Sequence, residues 1–350
     1  MKVSIGTKIK HGPWGGGNLF AINLKNYLES KGHTVVHDLV QNDIDIILIT
    51  EPRRTSESSA FTHIDVQNYI KYKNSNALIT HRINECDERK NTNYVNKFLI
   101  EANKTADTTV FVSSWLKDLY IDQGMDRNEK YVIYSGSDSS VFNNQNLLPW
   151  NKKEKIRIVT HHWGANWNKG FEVYKRIDDM IGESYWKNKI AFNYIGNLPK
   201  KFNFLNSLHT NPLSGYDLAN SLKENHLYIT GSLYEPSGNH HIEASQCGLP
   251  LMYIDSGGTT EYCSNYGLKY NINNLEQKLK YMIKNYDKYL IKMKSYPQNA
   301  LKMCSDFEQL FIYMLENKTS LISARKLHFQ GNLIEKNYYK LKDKLRIKLN

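Results

Sequence analysis

The sequence predicts an α/β protein with two αβα domains that face a central cleft. Three observations lead to this prediction. Short apolar runs alternate with amphipathic segments, the alternation starts again after a polar stretch near residue 150, and a length of 350 residues is more than one common domain requires. Because parallel strands that are covered on both faces have nearly continuous apolar runs, the pattern is typical of two doubly wound sheets.

The first half of the chain contains the elements of the first predicted sheet. Strand-like apolar segments lie at residues 3–6, 33–39, 44–50, 77–80 and 108–113. A glycine-rich turn at residues 12–17 follows the first strand, and residues 18–30 have apolar side chains at helical spacing until Lys31-Gly32 ends the helix. A further helix is predicted around residues 93–103. This succession is the βαβ rhythm of a parallel sheet.

The polar stretch at residues 143–154, which contains Pro149, marks the predicted domain boundary. The rhythm then resumes, with strands at 156–160, 190–195, 227–230 and 251–254 and helices at 171–181 and from about residue 239. We therefore predict a first domain over residues 1–148, a second domain over 149–320 and a helical basic tail over 321–350. Strand ends and helix starts of both domains face the space between them, so a ligand is expected there.

The composition argues against several protein classes. Hydrophobic residues make up 40% and charged residues 23%, which is the balance of a globular chain rather than a disordered one. No stretch approaches the ~20 consecutive apolar residues that cross a bilayer, and no signal-peptide core precedes the first strand. The four cysteines lack the paired spacing of a zinc site or a disulfide framework, so a cytoplasmic location is expected.

The formal net charge is +11, and part of this surplus lies in the tail. The basic residues there are Lys336, Lys340, Lys342, Lys344, Arg346 and Lys348, with Leu333, Ile334, Tyr338, Leu341, Leu345 and Leu349 among them. Two interpretations are open: peripheral binding to an anionic membrane surface, or a solvated charged tail. The local clustering favours a local contact over a nucleic-acid channel, so no nucleic-acid partner is expected.

The most informative segment runs from residue 227 to residue 250. A strand is followed by a loop that contains Glu235 and Gly238, and a helix begins near Asn239. Helix N-termini bind anions because their amides lack partners, and glycine lets a phosphate or sugar approach the backbone. Two carboxylates at such a place are explained by a sugar nucleotide, which has hydroxyls beside its phosphates. Each glutamate considered alone has a structural interpretation. Glu243, which is predicted in the first helical turn, would complement the helix dipole, and Glu235 would be a surface loop residue.

This segment resembles the donor-binding signature of the family-4 retaining glycosyltransferases. The matching residues are Glu235, Gly238, Glu243, Ala244, Gly248 and Pro250. Residues 131–142 resemble the family's crossover segment, Trp167-Asn-Lys169-Gly170 its Lys-Gly element and Gly15-Gly16-Gly17 its N-terminal glycine loop. The resemblance implies the GT-B fold, in which a Rossmann-like acceptor domain precedes a Rossmann-like nucleotide-sugar-binding domain. It also implies sugar transfer from a nucleotide-diphospho-sugar to an acceptor hydroxyl with retention of configuration.

The resemblance implies which side chains hold the donor. We expect Glu243 to bind the ribose, Glu235 to bind the sugar as a catalytic residue, and Lys169 to bind the diphosphate. The expected donor-binding set also includes Gly16, Gly17, Gly238, Asn239, His240 and His241. The alternatives are an ordinary helix start for Lys169 and a tight turn for the glycine loop. A second glycine turn at residues 257–261 is interpreted either as lining the nucleotide pocket or as a plain turn.

In the first domain, His81 ends a predicted strand and is followed by Arg82. The family often has an active-site histidine at this kind of position, so His81 is expected at the cleft as a catalytic residue; the alternative is a hydrogen-bonded structural histidine. Arg82 and the polar run to residue 89 are expected to contact an acceptor or a phosphate, or else to be a solvated loop. The family's arginine before Lys169 is missing. Either the histidine pair His161-His162 takes part of its duty, with His162 as the candidate phosphate contact, or the donor phosphates are held less tightly.

No metal site and no cofactor are expected. Neighbouring histidines on a strand or a helix point in different directions, so the pairs His161-His162 and His240-His241 are poor chelates. No Asp-x-Asp follows a strand. We therefore expect a metal-independent reaction in which Lys169 and helix amides replace the ion, and in which the nucleotide-sugar is a substrate.

Other functions stay open alongside the main hypothesis, which is bacterial surface glycan synthesis with a glycan or lipid-linked acceptor. The first is a sugar-nucleotide epimerase or a phosphorylase on the same fold. The second is a non-catalytic carbohydrate- or nucleic-acid-binding protein. An ATPase is argued against because Asn18 and Leu19 stand where a Walker loop counted from Gly12 needs Lys and Ser or Thr. An NAD-binding protein is argued against because the turn lacks the G-x-G-x-x-G of dinucleotide binding.

Overall fold

The computed structural model describes residues 1–10, 15–126, 128–325, 337–339 and 341. Gly12 of the predicted glycine turn and most of the predicted basic tail lie outside the described residues. Within them, the chain forms two sheets of six parallel strands with helices on both faces, which confirms the predicted fold class. No described helix is both long and apolar enough to span a bilayer.

The first sheet has the strand order β2-β1-β3-β4-β5-β6. Its strands are β1 (Lys2–Ile5), β2 (Thr34–Val36), β3 (Ile46–Ile49), β4 (Leu78–Ile83), β5 (Thr108–Phe111) and β6 (Glu129–Val132). The helices of this half are α1 (Gly16–Ser30), α2 (His63–Tyr72), α3 (Asp87–Lys90), α4 (Val95–Asn103) and α5 (Ser114–Asp122). The order reverses between β1 and β3, and a ligand site is expected beyond the carboxyl ends of the strands at such a point.

The second sheet has the order β12-β11-β10-β7-β8-β9. Its strands are β7 (Ile156–His162), β8 (Ile190–Gly196), β9 (Leu208–Thr210), β10 (Leu227–Thr230), β11 (Leu251–Ile254) and β12 (Leu268–Tyr270). The helices are α6 (Phe171–Gly182), α7 (Gly215–Lys223), α8 (Asn239–Gln246), α9 (Thr259–Cys263), α10 (Leu275–Lys284), α11 (Tyr286–Met293), α12 (Ala300–Glu316) and α13 (Lys318–Ala324). Its order reverses between β10 and β7, and these strands lead into α8 and towards α6.

Helix α12 packs on the first sheet, although the sequence assigned residues up to 320 to the second domain. Its buried face includes Phe307, whose ring lies 5.2 Å from that of Phe20 in α1. Arg325, just after α13, forms an ion pair of 2.7 Å with Asp107 beside β5. Helical periodicity shows which face of α12 is apolar but not which sheet it covers, so the sequence missed this return of the chain.

The two domains also contact each other through α9 and α5. The carboxylate of Glu261 accepts hydrogen bonds from the backbone amides of Ser114 at 2.8 Å and Trp115 at 2.7 Å. The hydroxyl of Tyr262 donates to the carbonyl of Val112. Glu261 therefore caps the start of a first-domain helix from the second domain. The turn at residues 257–261 thus makes a domain contact, and the structure does not place it on the cavity described below.

Candidate active site

A cavity of about 360 Å³ lies between the carboxyl ends of the two sheets. Most of the residues predicted for the site lie in its lining, namely Gly16, Gly17, Arg82, His162, Lys169, Glu235, Gly238, Asn239, His240 and Glu243. The first-domain wall also includes Arg89 and Lys90. The structure thus brings together residues from both halves of the chain at the place where the two topologies predict a ligand.

The loop before α8 turns sharply at Gly238, which has φ +78° and ends the loop. A Cβ at this position would lie 2.5 Å from Nε2 of His241 and 3.0 Å from Cγ of Glu235. Glycine is therefore required here both by the left-handed conformation and by the close packing. The turn places Glu235 beside the N-terminus of α8, where the amides of the first helical turn point into the cavity.

The carboxylate of Glu235 is held between two cations and is only 4% exposed. One of its oxygens accepts from Nζ of Lys169 at 2.6 Å, and the other lies 3.1 Å from Nε of Arg89. Burial by itself would raise the pKa of Glu235, but Arg89 and Lys169 outweigh it and bring the pKa to about 2. Glu235 is therefore ionised at neutral pH and accepts hydrogen bonds only.

Lys169 has a pKa lowered to about 8. Burial is the main cause and the charge of Arg89 adds to it, while the carboxylate of Glu235 opposes both. The lysine ends a 3₁₀ turn at Trp167–Lys169 and precedes α6, and the sequence predicted its place before a helix. A diphosphate bound in the cavity would bring further negative charge to Lys169 and would favour its protonated form.

Arg89 is a site residue that sequence reasoning did not place beside Glu235. It belongs to α3 of the first domain, and the sequence showed it only as one member of a polar run. The arginine that the resemblance requires before Lys169 is missing, and the structure supplies a guanidinium from the opposite domain beside the same carboxylate. Only the three-dimensional fold brings these two positions together.

Glu243 lies in the second turn of α8, one turn later than the sequence predicted. Its Oε2 is 2.7 Å from Nε2 of His161, and Nδ1 of the same ring is 3.2 Å from the hydroxyl of Tyr228. The Tyr228 hydroxyl already accepts from the backbone amide of His161, so its proton is free for Nδ1. We therefore assign the Nε2–H tautomer to His161, which donates to Glu243 and leaves that carboxylate further acceptor capacity.

His162 and His240 line the cavity as neutral rings that lie 4.5 Å apart. Nε2 of His162 is 2.6 Å from the hydroxyl of Tyr174, and Nε2 of His240 is 2.9 Å from that of Thr230. Burial is the main cause that lowers the pKa of both rings well below the usual value. Neither ring therefore replaces the missing arginine as a cation. In the described part of the chain, no three His, Cys, Asp or Glu side chains form a metal-binding group.

Solved structures with the same architecture belong to glycosyltransferases. The glycosyltransferase from Rickettsia africae ESF-5 matches with a TM-score of 0.65 and 14% identity over 90% of this chain and 99% of that chain. HepE from Anabaena in complex with UDP and glucose matches with a TM-score of 0.63 and 12% identity over 89% of this chain and 100% of that chain. This chain has the GT-B fold. No protein-family model and no curated protein sequence matches it significantly.

Another GT-B structure, sucrose-phosphate synthase from Thermosynechococcus elongatus, matches with a TM-score of 0.63 and 13% identity over 90% of this chain and 99% of that chain. Since the matches extend over nearly the whole length of both chains, the similarity includes the pairing of the two domains as well as each sheet. The predicted GT-B architecture of two Rossmann-like domains that face a central cleft is confirmed.

His81 does not reach the GT-B cleft, contrary to the expectation from the sequence. Strand β4 continues to Ile83, and side chains alternate along it, so Arg82 lines the cavity while His81 points to the other face. Nδ1 of His81 is 3.2 Å from Nδ2 of Asn103, and the ring is fully buried. Burial, followed by nearby His63, lowers the pKa of His81 to about 3. His81 is therefore a structural histidine.

His241 is also turned away from the GT-B cavity. Its ring is fully buried beneath Gly238, and Nδ1 lies 3.7 Å from Sγ of Cys263. On the other side of the cleft, a Cβ on Gly16 would lie 2.7 Å from Nδ2 of Asn239, so the glycine loop touches the start of α8. A Cβ on Gly17 would meet no atom within 4 Å among the described residues. Of the two glycines, Gly16 is therefore the one at which an added side chain would displace Asn239.

Proposed function

We propose that this chain is a glycosyltransferase that moves a sugar from a nucleotide-diphospho-sugar to an acceptor hydroxyl. The observation that carries the proposal is the buried carboxylate of Glu235 between Lys169 and Arg89 at the N-terminus of α8. An ionised carboxylate accepts hydrogen bonds from sugar hydroxyls, while the two cations and the helix amides bind phosphate oxygens. A sugar joined to a diphosphate satisfies both kinds of group at once.

The ribose of the donor is assigned to Glu243. Two neighbouring hydroxyls can donate to its carboxylate, because His161 occupies only part of the acceptor capacity. Glu243 and the first turn of α8 lie on the same cavity, so one extended ligand can contact both. The GT-B structures of HepE and of an α-glucosyltransferase contain UDP, which makes UDP-sugars the first donors to test.

In the proposed reaction, the bond between the anomeric carbon and the diphosphate oxygen breaks as the acceptor oxygen forms its bond to that carbon. The diphosphate accepts the acceptor proton, and Lys169, Arg89 and the α8 amides stabilise the negative charge that develops on it. We propose that no metal ion takes part. Retention of configuration belongs to the proposal on the strength of the signature around Glu235 and Glu243. Closure of the two domains would exclude water from the donor.

A glycan or lipid-linked acceptor, a role in bacterial surface glycan synthesis and a cytoplasmic location complete the proposal. The basic tail supports a contact with an anionic membrane surface. This contact stays a prediction, since nearly all of that segment lies outside the described residues. Deletion of residues 326–350 followed by vesicle binding tests it: unchanged binding to anionic vesicles would remove the membrane contact.

The experiment that tests the proposed function is a thermal-shift panel of UDP-, GDP-, ADP- and TDP-sugars in buffer with a chelator. We expect one nucleotide class to raise the midpoint of unfolding, because a ligand that binds only the folded state stabilises it. No stabilisation by any member would contradict the proposal. Product analysis with donor alone then separates the rival enzymes, since an epimerase converts the donor without any acceptor.

A further inference from the structure

The cavity contains a buried cation that has no anionic partner in the described part of the chain. Arg82 is only 5% exposed, yet it lies in the cavity lining. Its Cζ is 3.9 Å from the centre of the Phe20 ring. Among the described residues, no carboxylate lies within ion-pair distance of it and no acceptor forms a hydrogen bond with it. An arginine has five N–H donors, and burial without acceptors is unfavourable.

The neighbouring cations of the cavity differ from Arg82 in this respect. Lys169 and Arg89 share the carboxylate of Glu235, and Lys90 forms an ion pair with Glu85. The fold thus supplies a carboxylate for each of these three cations and none for Arg82. Arg82 can therefore bind an anion of a ligand without first giving up an internal carboxylate, which would otherwise compete with that anion.

The guanidinium of Arg82 is also oriented before any ligand arrives. Alternation along β4 points it into the cavity, and the face contact with Phe20 of α1 holds its plane. A face contact leaves the N–H edges available for bidentate bonding to a planar carboxylate or to a phosphate. Burial lowers the pKa of Arg82 to about 10, so it keeps its charge at neutral pH.

We propose that Arg82 binds an anionic group, a phosphate or a carboxylate, on the acceptor substrate. The inference rests on the proposed function, which assigns the second-domain wall to the donor. Lys169 and the α8 amides already provide for the donor diphosphate there, together with Arg89, which reaches Glu235 from the first domain. Arg82 lies on β4 of the first domain and contacts Phe20 instead of a donor-site carboxylate. An acceptor with only hydroxyl groups at this place would leave the buried charge uncompensated. The acceptor is therefore an anionic molecule.

The test is calorimetric titration of inorganic phosphate and of acetate into the chain saturated with the nucleotide that the donor panel identifies, at constant ionic strength. We expect Arg82→Gln to weaken binding of the second anion by about tenfold or more while nucleotide affinity changes less than about threefold. Arg54→Gln is the matched control, because Arg54 is exposed and outside the cavity lining. Arg82→Lys, which keeps the charge, should bind the anion more tightly than Arg82→Gln.

Three results would overturn the inference. They are no binding of either anion by the saturated wild-type chain, equal anion binding by wild type and Arg82→Gln, and a loss of nucleotide affinity in Arg82→Gln as large as the loss of anion affinity. The last result would assign Arg82 to the donor, and a donor whose sugar has a carboxylate would then bind more tightly than its neutral counterpart. Failure of the wild-type chain to bind any nucleotide would instead contradict the proposed function. Thermal unfolding of each variant checks that it is folded.

Discussion

Arg89 in α3 and Glu235 before α8 form an ion pair across the cleft, with Nε of the arginine 3.1 Å from Oε1 of the glutamate. The same carboxylate binds Lys169, so one buried anion joins cations from both domains. Domain closure and the charge state of the donor site are therefore physically linked. A change at Glu235 should alter both the affinity for a diphosphate and the pH at which that affinity is lost.

The pH dependence of nucleotide binding should follow Lys169. With the pKa of the free lysine at about 8, affinity for a nucleoside diphosphate should be higher at pH 7 than at pH 9.5 and fall above about pH 8, because the neutral amine no longer attracts phosphate. Lys169→Arg should remove this dependence, since arginine stays charged. Calorimetric titration at a series of pH values measures it, and a flat profile from pH 7 to 9.5 for the wild type would contradict the assignment.

Glu235→Gln should shift that pH profile downward. The carboxylate of Glu235 raises the pKa of Lys169, so its removal should lower this pKa below about 8 and move the loss of affinity to lower pH. Sugar transfer should fall by about a hundredfold, because the amide cannot accept from sugar hydroxyls as a carboxylate does. An unchanged profile together with wild-type activity would show that Glu235 does not act on the donor.

Glu243→Ala should weaken nucleotide binding through the ribose alone. We expect a loss of about ten- to a hundredfold for UDP and almost none for its 2′,3′-dideoxy analogue, because two charged hydrogen bonds disappear only in the first case. The comparison is a double-mutant cycle measured by titration calorimetry. Equal losses for both nucleotides would mean that Glu243 contacts another part of the donor or only supports the fold.

His161→Phe should reproduce part of the Glu243 effect. Its Nε2–H orients the carboxylate at 2.7 Å, and its removal leaves Glu243 in place but less constrained. We expect His161→Phe to lower the affinity for UDP relative to its dideoxy analogue by about three- to tenfold, which is less than the loss expected for Glu243→Ala. The same pair of nucleotides provides the measurement. A loss of affinity for the dideoxy analogue as well would indicate general damage to the site.

Gly238→Ala should destabilise the chain, whereas Gly17→Ala should not. Alanine at position 238 must adopt φ +78° and place its Cβ 2.5 Å from His241, so we expect a loss of about 1–3 kcal/mol in the free energy of unfolding. A Cβ at Gly17 meets no described atom within 4 Å. Denaturant unfolding compares the two, and equal stability of the two variants would contradict the structure of the loop.

The sequence predicted the parts of the fold that burial determines directly. β3 is buried on both faces and therefore appeared as a continuous apolar run. The strands β6, β9 and β12 were missed because they lie at sheet edges, where exposed polar residues interrupt the pattern. The packing of α12 on the first sheet depends on a chain return that local periodicity does not encode.

The candidate site was predictable where its residues are close together in the sequence. Glu235, Gly238 and Glu243 belong to one segment, and the structure places all three at the cavity. Arg89 could not be assigned, because its partner Glu235 lies in the other domain. The prediction that His81 reaches the cavity was wrong because the predicted strand ended too early. β4 runs on to Ile83, and because side chains alternate along a strand, His81 points away from the cavity.

The most direct test of the central claim is titration calorimetry of the panel's best nucleoside diphosphate, in buffer with a chelator, against wild type and Lys169→Gln. The account predicts one binding site in the wild type and a loss of at least about tenfold in affinity for the variant, measured on chains that are both folded in the absence of nucleotide. Equal affinity of the two folded chains would contradict the claim that this cavity binds a sugar nucleotide through Lys169 and its partner Glu235.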